Sequence, residues 1–223
     1  MRLRLWWVPL LLVLAPLFGR APEPRDVPGF FEPIRTVTAT RLLQGEWPWL
    51  NAANGCTEAW FANPETGVLY PPAWIHLVLP THVGMALEIG LHLALLALGA
   101  GLLSRRLGAG GAGVLVTEIA TWSSGAVLAM AGMLNNLEAI TWLPWMVLAA
   151  RLPGRWTVPA TAAVCAAGWL AGEPVVWFLG VVLCIGLAGP RRPAAVLGTA
   201  LSLAVVAVQV VPFASWVLEG DRG

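Results

Sequence analysis

An all-α bundle that crosses a membrane about seven times is the fold class this sequence predicts, on three observations. The 223 residues are 58% hydrophobic and only 11% charged, against about 25% charged in soluble domains. Apolar runs recur near 5–19, 83–104, 112–133, 138–150, 157–171, 175–189 and 194–217, and a soluble fold has too little interior to hide them all. Arginine pairs then fall in every second connection: Arg2 and Arg4, Arg105 and Arg106, Arg151 and Arg155, Arg191 and Arg192. Positive residues collect in cytoplasmic loops, so this alternation predicts a cytoplasmic N-terminus, an odd number of spans and a C-terminus outside.

The first run follows "MRLR" and resembles a signal peptide, but no small-residue cleavage site closes it and more spans follow. It is therefore expected to stay as an uncleaved first helix. Residues 20–82 form the next element, a long extracytoplasmic loop. Within it "IRTVTATRLLQG" reads as a short helix stopped at Gly45. Its apolar side, Ile34, Val37 and Leu42, is expected on the membrane surface with Arg35 and Arg41 among headgroups. Trp47, Trp49, Trp60, Tyr70 and Trp74 are expected as interfacial aromatics, with Tyr70-Pro71-Pro72 bracing the loop's return to the bilayer.

Six further spans make up 83–217, so residues 1–223 read as one membrane domain, part of a longer protein. Runs near 138–150, 157–171 and 175–189 are shorter than the roughly 20 residues a crossing needs. Prolines in "TWLPWM" and "GEPVVW" are expected to break helix ends there. "GAGGAG" at 108–113 lacks the strand and lysine of a phosphate loop and reads as a flexible inside connection.

Charge placement narrows the function. There is no lysine and no basic cluster interleaved with aromatics, so nucleic acid is not an expected partner. Cys56, Cys165 and Cys184 form no CxxC pair, and the latter two read as small apolar residues in spans. His76, His82 and His92 lie too far apart for a tight metal motif. Ten of the twelve acids fall on the outer side; Glu138 is placed there, in a short connection, and only Glu88 and Glu118 sit within spans. A charge inside the membrane is costly. Glu118 must be protonated, paired or lining a polar cavity, with "TWSSG" offering hydroxyls, and Glu88 is expected near the outer interface within reach of water.

"LLQGEWPWLNAANGCTEAWFANPETGVLYPPAWI" resembles the first outer loop of YfhO-like bacterial membrane proteins, which ends in an A-N-P…Y-P-P pattern. "NNLEAITWLPWMVLAARL", "LAGEPVVWFLG" and "AVVAVQVVPFASWVLEGDR" resemble later family segments, in the same order across nearly the whole chain. The chain departs from the pattern where "WPWLNAANG" lacks a proline after the asparagine and where Glu173 replaces a frequent His. Family members are also much longer. The resemblance implies a GT-C-type glycosyltransferase of the bacterial inner membrane. Such an enzyme moves a sugar from a polyprenyl-phosphate donor to a cell-envelope acceptor on the outer face.

Under that resemblance the catalytic acid lies just beyond the first helix, which points to Asp26. A carboxylate there would take the acceptor's proton or hold a divalent cation, Mg2+ or Mn2+, against the leaving phosphate. Glu32 is the neighbouring alternative, able to pair with Arg35 one helical turn on. Glu173 is the third candidate, on an outer turn before Pro174. Arg20, Arg25, Arg35, Arg41 and, by resemblance, Arg222 are candidate grips for the carrier phosphate, because guanidinium matches phosphate oxygens in pairs. Against the enzyme stands a non-catalytic polytopic protein, whether transporter, flippase partner or assembly scaffold. Paired broken spans with mid-membrane charges would mark a transporter, and the sequence shows no such symmetry.

Overall fold

The computed structural model describes residues 26–51 and 59–220, the side chains of 219 and 220 excepted. The expected first span, Arg20, Arg25, Cys56 and Arg222 lie outside the described residues. Among those described the structure is helical, without a strand ladder. A π-turn, Val27–Phe31, leads into α1, Glu32–Leu43. After a loop carrying short 3-10 turns at Pro64–Thr66 and Pro71–Leu77 come α2 (Thr81–Arg106), α3 (Gly111–Ser123) and α4 (Gly125–Met130). The chain continues through α5 (Leu134–Ala150), α6 (Thr157–Leu170), α7 (Pro174–Leu187) and α8 (Arg192–Gly220).

Among the described residues two segments are long and apolar enough to cross a membrane, Thr81–Arg106 and Gly189–Leu218. At 1.5 Å per residue the 26 residues of α2 span about 39 Å, beyond the roughly 30 Å of hydrocarbon. The run expected as one span at 112–133 is instead divided at Ser124, whose backbone turns extended (φ −62°, ψ 128°). Pro174 opens α7 as its first helical residue, where its missing N–H is no loss. Pro144, expected at a break, lies inside α5. The helix there continues past it because α2, α6 and α7 pack around α5.

Helix packing is partly out of chain order: α2 lies against α3 and α5, α5 against α6 and α7, and α6 against α8. Met146, Cys165, Trp169, Trp177, Cys184 and Val206 form the largest core cluster. Trp177 Nε1 donates to the Cys165 carbonyl at 2.8 Å, so its polar edge is satisfied inside. Beyond this core α7 and α8 expose an apolar face, including Phe178, Val182, Leu197, Leu201, Val205 and Val211. Apolar patches this continuous mark a surface meant for lipid or another protein.

α6 and α8 approach through small residues, as helices do where lipid supplies no hydrophobic drive. A Cβ on Gly198 would stand 2.7 Å from Thr161 Cβ and 2.8 Å from the Val158 carbonyl, and backbone cannot step aside. Gly198→Leu is therefore expected to lift α8 from α6 at a cost of about 1–3 kcal/mol. Cys165, fully buried under Thr199 of α8, should then react with maleimide. Unchanged protection of Cys165, read by peptide mapping, would show that the contact yields.

Candidate functional site

α1 begins with a proline at its second position and ends before Gly45, whose positive φ (75°) closes it as expected. Its apolar side does not lie on the membrane. Ile34 packs with Trp60, Phe61 and Val68 in the loop's own core, with Val37 and Leu69 against them. The loop is thus a folded cap, and its aromatics divide accordingly. Trp47, Trp49 and Trp74 stay exposed, while Trp60 and Tyr70, expected at the interface, are buried. Trp60 Nε1 donates to Thr38 Oγ1 at 2.9 Å, and Thr66 Oγ1 donates to the carbonyls of Trp60 and Asn63.

Arg35 is the centre of the cap. The sequence suggests a headgroup or phosphate contact, but the side chain is 2% exposed and turned inward. Its Nη2 donates to both Glu138 oxygens at 3.0 and 3.2 Å, Nε donates to Glu88 Oε2 at 3.4 Å, and Nη1 donates to the Glu65 carbonyl at 3.0 Å. Glu88 and Glu138 are equally buried. Glu138 therefore does not lie in an outer connection, and Glu88 does not reach water. Both sit near the starts of helices, α2 and α5, that meet under the cap. Burial alone would pull the Arg35 guanidinium toward losing its proton, but Glu88 and Glu138 outweigh that and raise its pKa above the ordinary value.

His76 completes this cluster, with Nε2 2.9 Å from Glu88 Oε2. Two carboxyls against one guanidinium leave one negative charge in excess, and a dry interior penalises that strongly. One further proton balances the cluster.

A second chain of hydrogen bonds runs beside it. His92 Nδ1 donates to the Glu88 carbonyl at 2.6 Å, since a carbonyl can only accept. In the neutral ring Nε2 then accepts from the Tyr70 hydroxyl at 2.6 Å, and that oxygen accepts from Trp142 Nε1 at 2.9 Å. Tyr70 is thus a bolt between α2 and α5. Burial first, and then the Glu138 carboxylate, hold its phenol well above the usual pKa, so it remains a donor. Tyr70→Phe should strand two buried polar groups at a cost of about 1–3 kcal/mol. That loss should appear as a lower melting temperature in detergent; an unchanged one would mean that the pair needs no hydroxyl.

Two of the three acids expected from sequence, Asp26 and Glu173, are held near the start of α5, Asp26 through its backbone. The Asp26 N–H donates to the Gly132 carbonyl at 3.1 Å, which holds the half-buried acid at the turn before α5. Three residues on, the Asn135 amide donates to Glu65 Oε1 at 2.8 Å and to Glu173 Oε2 at 3.4 Å. Gly172 makes the second approach possible. Its φ is 92°, and a Cβ there would stand 3.0 Å from Glu65 Cα. Glu32 and Arg41 take other places. Glu32 opens α1, where its carbonyl accepts from Thr36 Oγ1 at 2.7 Å. Arg41 reaches the Leu50 carbonyl and holds the loop after α1.

Glu65 and Asn135 were not among the residues expected from sequence, although Glu65 stands in the quoted "ANPETG". Its signal was the Asn63 cap: Asn63 Oδ1 accepts from the Glu65 N–H at 3.0 Å and fixes the turn that presents it. Among the described residues no three His, Cys, Asp or Glu side chains form a metal-holding group. A divalent ion would thus depend on substrate oxygens for most of its ligands, and no step below runs through one. Glu118 lies against Gly101 of α2, consistent with the close approach of α3 to that helix. No family model, no curated protein and no solved structure matches the chain.

Proposed function

We propose that the chain is a multi-pass bacterial inner-membrane glycosyltransferase working on the extracytoplasmic face. Its donor is a sugar on a polyprenyl phosphate and its acceptor a cell-envelope hydroxyl. One observation carries the reading: Asp26, Glu65 and Glu173, from three separate stretches of chain, are held around one helix end, the start of α5. The arginine-bearing ends of the helices lie together elsewhere. Arg151 after α5 donates to the Leu187 carbonyl ending α7 at 2.9 Å, and Arg105 and Arg106 line one groove with Leu152. With arginines inside, the acids face outward, where a lipid-borne sugar phosphate is presented.

In the reaction the acceptor oxygen attacks the anomeric carbon as the carbon–oxygen bond to phosphate breaks. Polyprenyl phosphate leaves with the bonding electron pair. The acceptor's proton passes to the Asp26 carboxylate, and Glu65 and Glu173, oriented by Asn135, hold sugar hydroxyls. The Arg35 cluster takes no part in phosphate binding, because its guanidinium is already shared among Glu88, Glu138 and the Glu65 carbonyl. It fixes the cap that carries Asp26 and Glu65.

The same closed cluster favours the runner-up, a non-catalytic polytopic protein such as a transporter, flippase partner or scaffold, since its charges are satisfied internally. The two readings separate in one assay. The chain in proteoliposomes, offered fluorescent polyprenyl-phosphate hexoses and pentoses together with envelope extract, should release free polyprenyl phosphate. Intact donor after prolonged incubation, with the protein folded, selects the scaffold.

A further inference from the structure

At the end of the bundle opposite the acids, α2, α5 and α6 enclose a groove of about 630 Å3. That is within the range of ligand sites, roughly 300–1,000 Å3. Its walls are apolar, with Leu102, Trp145, Leu148 and Val164 among them, and among the described residues its only charged lining residues are Arg105 and Arg106. Neither arginine makes a side-chain hydrogen bond or ion pair among the described residues, and both are exposed. Two other arginines of this end have partners: Arg151 donates to the Leu187 carbonyl and Arg155 lies 5.3 Å over the Trp156 ring. Trp145 turns its N–H away to the Leu95 carbonyl at 3.0 Å, which leaves only its apolar surface toward the groove.

We propose that this groove binds an anionic phospholipid of the cytoplasmic leaflet, with its phosphate on Arg105 and Arg106 and an acyl chain along Trp145, Leu148 and Val164. Charge decides the occupant. Two guanidiniums, with no carboxylate among the described lining residues, attract a phosphate, and basic pockets between membrane helices take such headgroups. A free phosphate would leave the apolar walls unfilled. The inference rests on membrane embedding alone and needs no glycosyl transfer.

Native mass spectrometry of the whole chain tests it, after exchange into mixtures of phosphatidylglycerol and phosphatidylcholine. The wild type should keep one phosphatidylglycerol with a preference of about tenfold or more over phosphatidylcholine. The R105Q/R106Q pair should lose that preference. Ala160→Trp, which narrows the groove and leaves both arginines in place, should lose the retained lipid. Three results would overturn the proposal: equal retention of both lipids by the wild type, undiminished preference in R105Q/R106Q, or a lipid-free dimer with the groove closed by a second copy. Lipid binding is read here by mass, so an inactive transferase that retains its lipid leaves this site standing while the activity reading fails.

Discussion

Arg35→Met is expected to release the cap from the bundle. The substitution keeps most of the side chain's length and removes the only guanidinium among Glu88, Glu138 and the Glu65 carbonyl, all beneath a side chain 2% exposed. Removing one member of a buried ionic group costs about 3–5 kcal/mol, because the opposite charges are left buried. In a chain of this size each kcal/mol moves the melting temperature by about 2–4 °C, so a fall on the order of 10 °C is expected in detergent. Trypsin should then cut at Arg41, which in the wild type is held against the Leu50 carbonyl. A triple variant separates charge from packing. R35M with E88Q and E138Q removes the orphaned charges together and should regain most of the loss, since neutral groups of similar shape often replace a buried pair at little cost. Melting of Arg35→Met within 2 °C of the wild type would mean that the cap is held by its apolar core, Ile34, Trp60, Phe61 and Val68, and not by the ion cluster.

The helical class and most helix positions were legible because apolar length and loop charge are one-dimensional signals. The runs at 83–104 and 194–217 correspond to α2 and α8, and Pro174 marked the start of α7. The division at Ser124 was not legible, since "TWSSGAV" carries no proline and its glycine reads as readily within a span. The cap was misread for a specific reason. Arg35, Trp60 and Tyr70 are amphipathic side chains that suit a headgroup layer or a wet interface equally well, and no periodicity in a loop says which of them turn inward. The partners that turn them were visible in outline. Glu88 and His92 stand four residues apart in an apolar run, and a membrane segment bears such a pair only when something satisfies it. Glu138 follows two asparagines, and that polar context made it look like a connection when it is the second turn of α5. Long-range pairing, 103 residues apart for Arg35 and Glu138, is information a single chain does not display.

Asp26→Asn is expected to lower the release of polyprenyl phosphate by about 10²–10⁴-fold, the usual contribution of a positioned general base, while the melting temperature stays at the wild-type value. The separation follows from how Asp26 is held. Its backbone is held on both sides: the N–H donates to the Gly132 carbonyl, and its own carbonyl accepts from the N–H groups of Phe30 and Phe31 at 2.9 and 3.2 Å. Asparagine keeps all of these, and Val27 and Phe31 still pack on Met85 and Leu134 beneath, so the π-turn should persist. The substitution removes the carboxylate's charge and with it the capacity to take a proton. Glu32→Gln supplies the contrast. Glu32 stands in the first turn of α1 and its backbone carbonyl, not its carboxyl, holds Thr36, so its transfer rate should stay within about threefold of the wild type, a change too small for a lost general base. A full rate from Asp26→Asn together with a collapsed one from Glu32→Gln would move the base one turn along the chain. Full rates from both would leave Glu65 and Glu173, on opposite sides of Asn135, as the carboxylates to change next.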